Sequence, residues 1–65
     1  MPKPKLTPKQ AKFVEGIAKG KPPTVSALEA YDTDNYGVAA TIASENMNNQ
    51  NVKDALVPIL EKHMI

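Results

Sequence analysis

Lysine is the side chain whose number and spacing in this sequence point to chemistry, and that chemistry is contact with phosphate. Lys3, Lys5, Lys9, Lys12, Lys19 and Lys21 crowd the first 21 residues against a single acid, Glu15, a local net charge of +5. The remainder holds Lys53 and Lys62 against six acids, a net charge of −4, so a chain of overall charge +1 is strongly polarised. Such a chain can present a basic face while staying close to neutral. None of the eight cations is arginine. Lysine meets phosphate as a point charge, whereas bidentate reading of guanine favours arginine, although lysine can also do it. The bland alternative is that these lysines form the solvated back of a packing helix.

Other chemistry is poorly supported. The single histidine, His63, stands two residues from the end of the chain, a poor place to hold a proton shuttle. Asp32 and Asp34 fall in a turn where helix capping accounts for them, and no third ligand for a metal stands near. The three glycines form no phosphate loop, and without cysteine there is neither a disulfide nor a thiolate zinc site. The expectation is a non-enzymatic protein with no cofactor and no metal. No apolar run approaches the ~20 residues that span a bilayer. The start "MPKPKLTPK" lacks the apolar core of a signal peptide, so the chain is expected to be soluble and cytoplasmic, with no membrane partner and no small-molecule substrate.

Residues 1–5, with two prolines among lysines, are expected to form a flexible basic arm. Residues 6–65 make one small domain with a thin core. Helix 1 has the clearest bounds. Thr7 caps it, Pro8 takes the first helical position and Gln10 completes a Thr-x-x-Gln capping box. Leu6 can staple onto Ala11. Ala11, Phe13, Val14, Ile17 and Ala18 give its apolar stripe, and Gly20 followed by Pro22 and Pro23 ends it. Lys9 and Lys12 share a solvent face.

Helix 2 is expected over Thr24–Tyr31, capped by Thr24, with Val25, Leu28 and Tyr31 inward. Asn35 caps helix 3, "YGVAATIASENM", whose buried side is expected to be Val38, Ala39, Ile42, Ala43 and Met47. Helix 4 starts near Asn51 and buries Val52, Ala55, Leu56, Ile59 and Leu60, with Pro58 kinking or splitting it. No strand alternation or internal repeat is present, so the fold class is all-α, a small bundle of about four helices. A short helix, a turn of about four residues and a helix with small outer residues fit a helix-turn-helix, whose second helix enters the major groove. Tyr36, Ala40, Thr41 and Ser44 fall outside the apolar stripe of helix 3. Small side chains there allow close approach to base edges, and hydroxyls can donate to or accept from them.

Three blocks, "LTPKQAKFVEGIAKG", "SALEAY" and "ASENMNNQNVKDAL", resemble the N-terminal domain of the terminase small subunits of tailed bacteriophages. Leu6, Thr7, Lys9, Gln10, Phe13, Val14 and Glu15 match the family's first block in order. Ala27, Leu28 and Ala30 match the second. Ser44, Glu45, Asn46 and Met47, then Val52 and Lys53, match the third, so the likeness covers roughly residues 6–56. It implies a helix-turn-helix domain that recognises viral double-stranded DNA at the packaging start site. It further implies a homo-oligomeric full-length protein that presents the DNA to a large subunit carrying the ATPase and nuclease, in the host-cell cytoplasm.

Two departures bear on the site. Glu29 replaces the family's arginine, and "YDTDN" replaces its Gly-Tyr-Ser turn. From residue 22 to 51 there is no cation at all. Phosphate contacts are therefore expected from Lys3, Lys5, Lys9 and Lys12, with Lys53, and neutral base readout from Tyr36, Ala40, Thr41 and Ser44. Single-domain affinity should be weak, with strength coming from several copies. The family's oligomerisation region is absent or reduced to the end of helix 4, as in a domain fragment or an unusually short member. The alternatives are a protein-interaction module of the packaging machinery with the same fold, and a phage-type helix-turn-helix transcriptional regulator.

Overall fold

A computed structural model describes residues 5–63, which form four α-helices and, among the described residues, no strand. The fold is all-α. The helices are α1 (Pro8–Ala18), α2 (Pro23–Ala30), α3 (Tyr36–Met47) and α4 (Gln50–His63). Each packs on two neighbours: α1 on α2 and α4, and α3 on α2 and α4. Lys3 and residues 1–4 of the expected arm lie outside the described residues.

The helix ends follow from local chemistry. Thr7 Oγ1 accepts from Gln10 N at 3.1 Å while Gln10 Oε1 accepts from Thr7 N at 3.0 Å, the reciprocal capping box that the sequence predicts. At the other end Gly20 takes φ +90, Lys21 N bonds Gly16 O at 3.1 Å and Gly20 N bonds Ile17 O at 2.9 Å. That is a Schellman stop, which glycine adopts without a Cβ penalty. The same stop ends α2, but Asp32 fills the left-handed position, at φ 50, and Thr33 N reaches Leu28 O at 3.2 Å. Asn35 Oδ1 accepts from Val38 N at 3.0 Å and caps α3. Asn49 Oδ1 accepts from Asn51 N and Val52 N and starts α4.

Several elements depart from the sequence expectation. Thr24 is not the cap of α2. That helix begins at Pro23, after an N-cap Pro22 with no side-chain bond, because proline's fixed φ suits the first helical turn. α4 is one helix running through Pro58 rather than two pieces. Leu6 packs on the core, while Ala11, its expected staple partner, is exposed.

The core is Phe13, Val14, Ala27, Ala30, Ala39, Ala43, Val52 and Leu56. Phe13 is its largest fully buried side chain and contributes on the order of 1.5–3 kcal/mol by burial. Val38 (47% exposed) and Met47 (38%) were expected inside and stand outside, as does Leu60. Ile17, Leu28, Ile42, Ala55, Ile59 and Tyr31 are half-buried around the core. The reason is helix proximity. α2 and α3 turn small residues inward (Ser26, Ala27 and Ala30; Ala39 and Ala43), with Asn46 buried beside them, and a stripe of small side chains lets helix axes approach closely. Bulkier residues are pushed to the rim of that seam.

Candidate nucleic-acid interface

The lysines divide into two groups. Glu15 and Lys19 form an i,i+4 ion pair at 3.0 Å, and Lys21 pairs with Glu29 of α2. The Lys19 ammonium, first by hydrogen bond and then by Coulomb attraction, holds the Glu15 carboxyl below its ordinary value. Among the described residues Lys5, Lys9, Lys12 and Lys53 form no ion pair, and all four are exposed. The sequence spacing of Glu15 and Lys19 already signals their pairing. The partnership of Lys21 and Glu29, eight residues apart, links the turn after α1 to α2 and follows no helical spacing.

Lys9 is positioned by an aromatic ring. Its Nζ stands 5.8 Å from the centroid of Tyr31, within reach of a cation–π attraction. Tyr31 is in turn fixed from α3, where the Asn46 Nδ2 donates to the Tyr31 hydroxyl at 2.9 Å. Asn46 is buried, so this bond satisfies an amide that would otherwise be costly inside the protein. A chain of contacts thus runs from Lys9 on α1, through Tyr31 at the end of α2, to the C-terminal half of α3. Sequence reasoning placed Asn46 in a family block without giving it a role, since nothing local pairs residues 15 apart.

The four expected readout residues of α3 are all exposed: Tyr36 at 64%, with Ala40, Thr41 and Ser44. Gly37 and Val38 share that outer surface, which the sequence reading did not assign to Val38. Thr41 Oγ1 donates to Gly37 O at 3.1 Å, so its hydroxyl proton is already used and its free lone pairs can only accept. Ser44 is the freer hydroxyl. Asp32 and Asp34 are exposed before the start of α3, and Glu45 is exposed on it, so the surroundings of this face are acidic. Lys53 is exposed on α4, apart from the contact chain that links Lys9 to α3.

Between α1 and α2 lies a shallow open crevice of about 100 Å³, lined by Lys12, Glu15, Gly16, Lys19, Lys21, Glu29 and Ala30. Its walls are charged, and it is too small and open to enclose a drug-sized ligand. Among the described residues, no helix is long and apolar enough to cross a membrane. No family model matches the chain, and neither a curated protein nor a solved structure matches it.

Proposed function

We propose that this chain is the DNA-binding domain of a phage terminase small subunit. In this reading α2 and α3, joined by Tyr31–Asn35, form a helix-turn-helix, and α3 enters the major groove. The domain marks viral DNA for packaging and presents it to a large subunit that performs the ATPase and nuclease chemistry. It catalyses nothing itself.

The observation that carries the reading is the pair Lys9 and Lys12, exposed cations without an acidic partner among the described residues, with Lys9 beside the ring that ties α2 to α3. The resemblance of residues 6–56 to the family supports it. So does the fate of the matching residues: Phe13, Val14, Ala27, Ala30, Asn46 and Val52 are buried, whereas Lys9, Ser44 and Lys53 are exposed. Helix 1 supplies phosphate contacts, and α3 supplies a neutral face of small side chains that can lie against base edges.

One observation favours the protein-interaction reading. Tyr36 and Val38 are exposed apolar groups in the first turn of α3, which follows the exposed acids Asp32 and Asp34 in the chain, surroundings better matched to a basic protein than to phosphates. Titration of the chain with random and phage duplexes over a range of salt separates the two. The DNA reading expects binding that weakens linearly in log–log form as salt rises. Absence of duplex binding at low salt moves the protein-interaction reading ahead.

A further inference from the structure

The two ion pairs of α1 and α2 border the same crevice, and the cation they share it with is Lys12. Three lysines, Lys12, Lys19 and Lys21, and two glutamates, Glu15 and Glu29, therefore face one shallow cleft whose wall at Gly16 carries no side chain. Both pairs are exposed, with side-chain exposures of 63% and 62% for Lys19 and Glu15 and 37% and 56% for Lys21 and Glu29. Exposed pairs of this kind are weak and salt-screened, so a competing anion can displace the carboxylate at little cost. A phosphodiester oxygen is such an anion, and it forms the same charge-assisted bond.

Resting on the DNA-binding reading, we infer that this crevice is a second phosphate-contact point whose Lys19 and Lys21 are occupied in the free chain by Glu15 and Glu29. On binding, backbone phosphates take their place at Lys19 and Lys21. Lys12 joins the two regions, because it belongs both to the Lys9–Lys12 face and to the crevice. Lys19 lies about 10 Å further along α1 than Lys12, and a DNA strand offers a phosphate every ~3.4 Å of axis. One strand can therefore meet both places. The displaced carboxylates stay beside the phosphates and repel them, so the two glutamates act as a built-in brake on affinity.

The test uses Glu15→Gln and Glu29→Gln, with Glu61→Gln on α4 as a control that changes net charge equally but borders no part of the crevice. Each crevice variant should bind random duplex about fivefold more tightly at low salt, the worth of a unit charge at contact distance in water. Lys19→Ala combined with Lys21→Ala in the parent chain should lower the salt slope by about 2. If the parent binds duplex but the glutamine variants gain no more than Glu61→Gln, or the lysine variant keeps its slope, this inference fails and the DNA reading stands. If no variant and no parent binds duplex, both fail together. Titration with inorganic phosphate alone is the last arm. Amide shifts at Gly16 and Lys21 with phosphate, and none with duplex, would make the crevice a free-anion site and overturn the assignment to nucleic acid.

Discussion

Gly16 of α1 lies so close to Ser26 of α2 that a Cβ built on Gly16 would stand 2.7 Å from Ser26 Oγ and 3.0 Å from Ser26 Cβ. This crossing sets the distance between the helix that holds Lys12 and the helix that holds Glu29. Alanine at residue 16 would gain about 1 kcal/mol of helix propensity, but overpacking costs typically ~1–3 kcal/mol. Gly16→Ala should therefore destabilise the domain in a urea melt, because the Ser26 Cβ cannot move without its helix. Ser26 Oγ is buried without a hydrogen-bond partner. Ser26→Ala should be neutral or stabilising by up to about 1 kcal/mol, and should soften the Gly16→Ala penalty in the double variant. A Gly16→Ala chain as stable as the parent would show that α1 and α2 are free to spread.

Asn46 and Tyr31 should behave as a coupled pair. Tyr31→Phe leaves the buried Asn46 amide without its acceptor, at a cost of about 1–3 kcal/mol. Asn46→Ala frees a hydroxyl that is only half-buried and can reach water, so it should cost less for the bond itself. A double-mutant cycle in thermal melts should return a coupling of ~0.5 kcal/mol or more. Additive single effects would mean the bond does not hold α3 to the end of α2.

Asp32 occupies a left-handed position with φ 50. Asp32→Gly removes the Cβ penalty that glycine lacks there, and a gain of up to about 1 kcal/mol in folding stability is expected. It also removes one negative charge before α3, so duplex binding should tighten in parallel. Asp32→Val should lower the melting temperature, since a β-branched side chain fits that backbone poorly.

These positions show which parts of the structure were legible in the sequence. Helix ends were legible where one side chain does the work, as at Thr7, Gln10, Gly20 and Asn35. Phe13, Val14, Val52 and Leu56 were legible as core because large apolar residues at helical spacing have few other uses. On α3 the expected stripe held the buried Ala39 and Ala43 but also Val38 and Met47, which stand exposed on its flanks, and it left out Asn46, whose burial depends on a partner at the end of another helix. The split of the lysines was half-visible: Glu15 with Lys19 follows from spacing, but Lys21 with Glu29 needs the path of the turn between α1 and α2, and Lys9 with Tyr31 needs the packing of α1 on the end of α2.

Base readout should centre on Ser44 more than on Thr41, whose proton is engaged by Gly37 O. Ser44→Ala should change sequence preference by about 1–3 kcal/mol if the contact is a good one, while leaving affinity for random duplex nearly unchanged. Chemical-shift mapping with a short duplex gives an independent view. Perturbations that skip Ala40, Thr41 and Ser44 and gather on α4 or on residues 32–35 would remove α3 from the role of reader.

The central claim is that Lys9 and Lys12 meet a phosphate backbone, and the salt dependence of duplex binding tests it most directly. Each lost phosphate contact lowers the slope of log affinity against log salt by about 0.9. Lys9→Ala combined with Lys12→Ala should reduce the slope by about 2 and weaken binding to every sequence alike. Both lysines are exposed on α1 and Lys9→Ala gives up only its cation–π contact with Tyr31, so the variant should stay folded within about 1 kcal/mol of the parent. An unchanged slope in a folded variant would contradict the account and leave the lysines as the solvated back of a packing helix.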